Sequence, residues 1–197
     1  RFDEISFFSR IGSGSLGGKG RGLAFIDLQL KRKRITYKYP GVVVTIPRTV
    51  VLTTQVFDDF MESNSLYDIA LTERSDVELL ESFLNAQLPE RLNEDLAAIL
   101  GVMKNPIAVR SSSLLEDSHY QPFAGIYDTF MLPNNHEQFD HRFQDLCNAV
   151  KSVYASTYYK RSKDYMHATG NMVEEEKMGV IIQEVTGQVY ENLCYPN

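Results

Sequence analysis

The sequence predicts a mixed α+β domain, and three observations support that class. Short runs of β-branched and other apolar residues, bounded by Gly, Pro or Ser, have the length of buried strands. Between them lie longer stretches in which apolar residues recur every three or four positions, as in a helix with one buried face. Of the 197 residues, 43% are hydrophobic, which is enough to form a core. We expect one domain or two small ones.

Charge and cysteine content exclude several classes of protein. The formal net charge of −6 is unlike that of nucleic-acid-binding surfaces, which carry a basic excess. No apolar run is long enough to span a bilayer, and the first residues do not form the apolar part of a signal peptide. The two cysteines fit neither a disulfide framework nor a metal site. We therefore expect a cytoplasmic protein with reduced thiols and no nucleic-acid or membrane partner.

The chain begins with a predicted strand and a glycine-rich loop. Residues 5–11 are apolar enough for a short strand, and six glycines follow among residues 11–23. Such a loop lets backbone N–H groups approach an anion, and it leads into a helix whose N-terminus favours negative charge. Lys19 lies at the junction of loop and helix and could add an ammonium group. The alternative is a flexible turn that caps the helix.

A helix and an extended segment follow. The helix is predicted over residues 20–34, with Leu23, Ile26 and Leu30 on its apolar face. The four basic residues 31–34 close it, either as cations favoured at a helix C-terminus or as contacts to phosphate or nucleic acid. The β-branched residues 42–46 and 49–53, separated by Pro47, predict an extended segment bent at the proline.

Residues 54–105 predict a helical scaffold between the first strands and the next one. Apolar residues recur at helical spacing in three groups, with Pro89 opening the last helix and Gly101 closing it. These apolar positions are Phe57, Phe60 and Met61, then Leu79, Leu80, Phe83 and Leu84, then Leu92, Leu96, Ile99 and Leu100.

The remaining residues, 106–197, predict strands around one long helix. Residues 107–109 form a short buried strand that ends at Arg110 and three serines, and residues 123–131 return to strand-like composition after a loop. Apolar residues at helical spacing predict a single helix over about residues 136–166. Residues 179–185 have the composition of a central strand.

The glycine loop matches no phosphate-binding motif on its own. Gly12, Gly14 and Gly17 have the spacing of the dinucleotide fingerprint, but no carboxylate follows the next predicted strand. A Walker loop would need Gly at Ser13 and Ser or Thr at Gly20. A protein kinase would also need His-Arg-Asp and Asp-Phe-Gly, which the sequence lacks.

Several short motifs, taken in order, are more specific. They are Leu-Gly-Gly-Lys-Gly at residues 16–20, Val-Arg-Ser-Ser-Ser at 109–113, Glu116-Asp117, Phe-Ala-Gly at 123–125, and Asp-Thr-Phe at 128–130. Together they resemble the N-terminal ATP-binding domain of the pyruvate phosphate dikinase and phosphoenolpyruvate synthase family, and residues 180–185 resemble its adenine-side strand. The resemblance spans nearly the whole chain. It implies an ATP-grasp fold, in which a nucleotide lies between two α+β lobes.

The resemblance also implies phosphate-binding residues. Lys19 resembles the lysine that contacts the ATP phosphates, with Gly17 and Gly18 in its loop, and Arg110 resembles the arginine that reaches the phosphates from a strand end. An ammonium and a guanidinium would supply a point charge and a fork of donors to the same polyanion. The alternatives are a surface role for Lys19 and an ion pair of Arg110 with Glu116 or Asp117. We expect the serines at 111–113 to bond their own loop backbone, and the two acidic residues to be solvated rather than metal-bound.

The remaining implied contacts belong to a closing loop and to the base. Gly125 and Thr129 resemble loop positions that close over the phosphates. Gln183 resembles the glutamine beside adenine, and Val185 the hinge residue whose backbone bonds the base. The cofactors so implied are ATP and Mg²⁺, with the Mg²⁺ ligands in a C-terminal lobe outside this chain.

The resemblance implies a truncated enzyme. Residues 1–53, 54–105 and 106–197 would form part of the nucleotide-binding domain, while the metal-binding lobe, the phosphohistidine domain and the acceptor domain would be absent. We assign no catalytic and no metal-ligating residue to this chain and expect it to be inactive alone. In the intact protein, ATP would phosphorylate a histidine that passes the group to pyruvate. The alternatives are a dikinase acting on a glucan or an antibiotic, and a non-catalytic nucleotide-binding module; a homodimer is left open.

Overall fold

A computed structural model of the chain describes residues 6–72, 74–113, 115, 125–190 and 193–196. The strands are β1 (Phe8–Ile11), β2 (Thr49–Leu52), β3 (Ile107–Ser113), β4 (Thr129–Leu132), β5 (Met178–Glu184), β6 (Gly187–Tyr190) and β7 (Leu193–Pro196). The helices are α1 (Gly17–Arg32), α2 (Thr54–Ser63), α3 (Leu66–Ala70), α4 (Asp76–Asn85), α5 (Glu90–Val102), α6 (Phe139–Ser156) and α7 (Lys160–Thr169). The α+β class and the helical segment between β2 and β3 are as the sequence predicts.

Five strands form one mixed sheet in the order β1-β2-β5-β3-β4, and β6 pairs with β7 separately. Only β1 and β2 pair in parallel among these five, so the chain between them must cross over the sheet, and α1 is that crossover helix. Strand β5 pairs antiparallel with both β2 and β3. The central position expected for residues 179–185 is therefore confirmed.

The register assigns each side chain to one of two faces, because register partners point the same way and successive residues alternate. One face carries Val50, Leu52, Val109, Val180 and Ile182 and packs against the helices that follow β2, forming the main core. The other, here called the α1 face, is the one on which α1 lies. It consists of Thr49, Val51, Ala108, Arg110, Ser112, Thr129, Met131, Gly179, Ile181 and Gln183.

An aromatic cluster forms the centre of the helical core. Phe57 and Phe60 of α2, Phe83 of α4 and Tyr154 and Tyr158 at the end of α6 are at most 1% exposed, with ring centroids 5.1 to 6.4 Å apart. Burying a side chain of this size stabilises the fold by roughly 1.5–3 kcal/mol. Most of the apolar helical positions predicted within residues 54–105 are buried here, and Leu80 and Leu84 are half-buried.

The long helix predicted over residues 136–166 is wrong, because the structure has two helices there, α6 and α7. In a continuous helix the N–H of Lys160 would donate to the carbonyl of Ser156. That carbonyl instead accepts from the hydroxyl of Ser162 at 2.7 Å, and the N–H of Lys160 donates to the carboxylate of Asp76 at 2.8 Å. Side chains thus replace the helical hydrogen bond and allow the chain to turn.

The apolar face predicted for α1 is also wrong. Ile26 is 48% exposed, and Leu23 and Leu30 are only half-buried. The buried residues of this helix are Gly17, Gly18, Gly20 and Asp27, because the helix meets the sheet through its glycine-rich first turn and not through bulky side chains. The helix also begins at Gly17, three residues before the predicted start.

The first of the two β-branched runs is not a strand of the sheet. Residues 43–46 belong to no strand, and Val42 makes an isolated bridge with Tyr39. Val42 and Val43 are each 53% exposed, whereas Ile46 is 5% exposed. β-branched residues favour strands when their side chains pack on a half-buried surface, and the first two residues of this run have none. The second run forms β2, as expected.

The free energy of unfolding is expected to fall as the pH rises above about 9. Burial raises the pKa of the Cys147 thiol to about 11 and of the Tyr159 hydroxyl to about 12, and it also raises the pKa of Tyr154 and Tyr158. In the unfolded chain these groups ionise near their ordinary values of roughly 8.5 to 10, so between the two sets of pKa values ionisation favours unfolding.

Urea unfolding followed by circular dichroism between pH 7 and 11 measures this effect. Burial lowers the pKa of Lys151, so ionisation of this lysine favours the folded state as the pH rises. This single group is outweighed by the several groups whose pKa values are raised. Cys147→Ala removes one of these ionising groups, so the free energy of unfolding should fall less steeply between about pH 9 and 10. Stability that stays constant from pH 9 to 11 would contradict the prediction.

Candidate functional site

The first turn of α1 lies directly against the end of β3. Gly17 has a φ of +70°, and a Cβ at this position would lie 1.6 Å from the carbonyl oxygen of Ser112, so only glycine fits. The Ser112 hydroxyl accepts from the N–H of Gly20 at 2.9 Å and donates to the carbonyl of Leu16 at 2.8 Å. This serine therefore joins the helix to the strand and fixes where Lys19 leaves the helix.

The glycine loop before α1 is tied to the start of α2. The N–H of Ser13 donates to Gln55 Oε1 at 3.0 Å, and the N–H of Ser15 donates to Thr54 Oγ1 at 3.1 Å. The N–H of Gly17 donates to the Ser15 hydroxyl at 3.1 Å. These donors are thus used within the protein, so they hold the loop in shape and an anion would depend on other groups.

Both predicted cationic residues belong to the region where the first turn of α1 meets β3. Lys19 Nζ is 3.4 Å from the carbonyl oxygen of Ser111 and 3.5 Å from its hydroxyl, and Ser111 follows Arg110 directly. Both cationic residues are half-buried. The Arg110 side chain lies on the α1 face and that of Ser111 on the opposite face, so Lys19 contacts β3 at the residue that follows Arg110.

The predicted closing loop ends on the strand beside Arg110. Thr129 is the register partner of Arg110, and Gly125 lies in the turn that precedes β4, with φ +77°. The N–H of Asp128 donates to the Ser156 hydroxyl at 3.2 Å, and the Asp128 carboxylate forms an ion pair with Arg161. These two contacts attach the turn to the junction of α6 and α7.

Four of the motif residues lie outside the described part of the chain. They are Glu116, Asp117, Phe123 and Ala124. The alternative pairing of Arg110 with Glu116 or Asp117 therefore stays untested.

Gln183 lies near the far end of β5. It is half-buried on the α1 face, and its Nε2 donates to Thr49 Oγ1 at 2.9 Å. From Gly179, the register partner of Ser112, to Gln183 is four residues, which is about 13 Å along a strand. The Val185 N–H donates to the carbonyl of Pro106 at 2.8 Å. The backbone group of Val185 that could contact a ligand is therefore its carbonyl.

The structure thus brings most of the predicted residues together. Arg110, Thr129 and Gln183 come from three strands and share the α1 face of the sheet. Lys19 belongs to the helix that lies on this face, and its Nζ reaches Ser111, the residue after Arg110. Gly17 and Gly18 lie in the first turn of α1, while Gly125 and Val185 lie just beyond strand ends. Sequence reasoning missed Thr49, Arg161 and the bond of Ser112 to α1, because nothing in their local sequence marks them.

A cavity lies elsewhere, between β1, α2 and α5. Its volume is about 710 Å³, and Arg10, Gln55, Asp59 and Arg91 are among its lining residues. None of the predicted phosphate or base contacts lines it.

Residues 13–191 match the family model described as the pyruvate phosphate dikinase, AMP/ATP-binding domain. The chain belongs to this family. Membership of the pyruvate phosphate dikinase AMP/ATP-binding domain family confirms the resemblance seen in the motifs, and the mixed α+β structure is consistent with it.

Two curated proteins are similar to this chain. An uncharacterized phosphotransferase, YvkC, of Bacillus subtilis (strain 168) is 25% identical over 150 residues, which cover 74% of this chain and 17% of the relative. A phosphoenolpyruvate synthase of Pseudomonas aeruginosa (strain UCBPP-PA14) is 25% identical over 143 residues, covering 64% of this chain and 17% of the relative. This pyruvate phosphate dikinase AMP/ATP-binding domain therefore spans about a sixth of the length of these relatives.

Two further structural findings bear on cofactors and location. Among the described residues, no group of three or more His, Cys, Asp or Glu side chains is arranged to hold a metal ion. No helix in the described ranges is both long and apolar enough to cross a membrane.

Proposed function

We propose that this chain binds ATP across the α1 face, as the nucleotide-binding part of a dikinase-type phosphotransferase with an ATP-grasp fold. The phosphates lie against Lys19 and Arg110, the turn from Gly125 to Thr129 covers them, and the base lies near Gln183 and Val185. One observation carries the proposal: residues 110, 129 and 183, which come from three strands, share the face of the sheet on which α1 lies, and Lys19 of α1 contacts the residue that follows Arg110.

The residue types at the two ends of the site support this orientation of ATP, with the phosphates at one end and the base at the other. Lys19 offers a compact positive charge and Arg110 a planar fork of donors, which suit a polyphosphate together. Both are half-buried, so their attraction to phosphate is screened less than at an open surface. The N-terminus of α1 adds partial positive charge at the same end. The uncharged amide of Gln183, about 13 Å along the strand, suits a base.

The proposed reaction transfers a phosphoryl group in two steps. A nitrogen of a histidine outside this chain attacks a phosphorus of ATP, and the bond from that phosphorus to its leaving oxygen breaks. The group then passes to an acceptor such as pyruvate. Lys19 and Arg110 neutralise charge on the phosphates and hold them in position. Mg²⁺ would supply further neutralisation, and we propose that its ligands lie in a C-terminal lobe of the intact protein.

Alanine at Lys19 or at Arg110 is expected to weaken ATP binding by about 1.5–3 kcal/mol, because each removes a charged hydrogen-bond partner of the phosphates. The dissociation constant, measured by calorimetry on the full-length protein, should rise roughly 10- to 150-fold. Lys33→Ala removes an equal charge from the far, exposed end of α1 and should leave ATP affinity unchanged.

A second readout separates catalysis from binding. Radiolabelled ATP should label a histidine of the full-length protein, and the Lys19→Ala and Arg110→Ala variants should lose that label. If a variant with alanine at both Lys19 and Arg110 kept its ATP affinity and its histidine label, the proposed phosphate site would be wrong. ATP binding without any histidine labelling would favour a non-catalytic nucleotide-binding module, and assays with pyruvate, a glucan and an antibiotic would identify the acceptor. Because the proposed reaction consumes ATP, we place the protein in the cytoplasm.

A further inference from the structure

Thr49 controls which way the Gln183 amide faces. Thr49 begins β2, is 1% exposed and is the register partner of Gln183 on the α1 face. Its hydroxyl donates to the carbonyl of Pro47 at 2.8 Å. A threonine hydroxyl has a single hydrogen, so towards Gln183 it can act only as an acceptor.

This constraint fixes the amide. Gln183 Nε2 donates to Thr49 Oγ1 at 2.9 Å, which directs the carbonyl oxygen Oε1 away from Thr49. A flipped amide would place Oε1 against Thr49 Oγ1, so that two acceptors would face each other with no hydrogen between them. The backbone also holds Thr49 in place, because its N–H donates to the carbonyl of Phe7 at 2.8 Å.

Two neighbouring backbone N–H groups are already used within the protein. The N–H of Glu184 donates to the carbonyl of Arg48 at 2.9 Å, and the N–H of Val185 to that of Pro106 at 2.8 Å. One hydrogen of Gln183 Nε2 is used on Thr49 in the same way, so Oε1 is the acceptor that the amide turns away from Thr49.

We infer that Thr49 is a specificity-determining residue, which orients the Gln183 amide so that the site selects a purine with an amino group at C6 over one with a carbonyl group there. The inference rests on the proposed function, in which the base lies near Gln183. The adenine amino group donates to Oε1, whereas the carbonyl of hypoxanthine would place acceptor against acceptor and leave both unpaired.

The test compares ATP with inosine triphosphate on the full-length protein by calorimetry. The unaltered protein should bind ATP more tightly than inosine triphosphate. Thr49→Val keeps the shape of the side chain but removes the hydroxyl, so the amide can turn and the preference should fall by about tenfold, the effect of one hydrogen bond. Thr49→Ser keeps the hydroxyl and should keep the preference. Thr49→Ala serves as a second variant with the same expected loss.

A double-variant cycle separates this role from a general effect on the fold. Gln183→Met removes the amide and should lower the preference by itself, and adding Thr49→Val should then change it no further, because Thr49 acts through Gln183. An unchanged preference in Thr49→Val and Thr49→Ala, with melting temperatures near that of the unaltered protein, would overturn the inference alone. Absence of ATP binding by the unaltered protein would overturn the proposed function, and the inference with it.

Discussion

Replacing Gly17 with Ala is expected to destabilise the protein by more than about 3 kcal/mol, because two separate costs combine at this residue. Its φ of +70° disfavours any side chain, and the new Cβ would lie 1.6 Å from the carbonyl oxygen of Ser112. Relief of that overlap requires α1 to move away from β3, which breaks the bonds of Ser112 to Leu16 and Gly20. Urea unfolding followed by circular dichroism measures the loss.

Gly22 provides the matched control within the same helix. A Cβ at Gly22 would meet no atom within 4 Å. Alanine here should stabilise the protein by about 0.5–1 kcal/mol, because it lowers the backbone freedom of the unfolded chain. Similar effects of the two substitutions would show that α1 does not contact β3 as described.

Replacing Phe60 with Ala is expected to destabilise the protein by about 3–5 kcal/mol, the usual range when a large core ring is lost. Phe60 is fully buried, with its ring centroid 6.0 Å from that of Phe83 and 5.5 Å from that of Tyr154. The substitution would leave a cavity where α2, α4 and α6 meet. Chemical denaturation of the purified variant measures the change.

Phe25 is the control for that substitution, since it is the same residue type at 61% exposure on α1. Phe25→Ala should change the free energy of unfolding by less than about 0.5 kcal/mol. If Phe60→Ala cost no more than Phe25→Ala, the aromatic cluster would not be the centre of the core.

The sequence predicts the fold best where side-chain patterning and burial agree. The helices of residues 54–105 have bulky apolar residues at helical spacing, and the structure buries most of them. α1 differs, because glycine carries its contact with the sheet and leaves no hydrophobic pattern to detect. The break between α6 and α7 depends on Ser162 and Asp76, which replace helical hydrogen bonds through contacts that local spacing does not encode.

The candidate site is predictable to a similar degree. Short motifs identify Lys19, Arg110 and Gln183, because their residue types suit phosphates and a base. The common face of Arg110 and Gln183 follows only from the strand register, which pairs residues far apart in the chain. Thr49 could not have been found in this way, since its role depends on a hydrogen bond to a residue 134 positions away.

The central place of β5 has a consequence for how the protein folds during synthesis. Four strands of the sheet precede β5 in the chain, yet β5 separates the β1–β2 pair from the β3–β4 pair. A ribosome-bound chain that has not yet reached Met178 therefore holds two strand pairs without the strand that lies between them. Contacts of such long sequence separation form slowly, because a large loop must close first. Closure of the sheet, and assembly of the α1 face with it, thus comes late in folding.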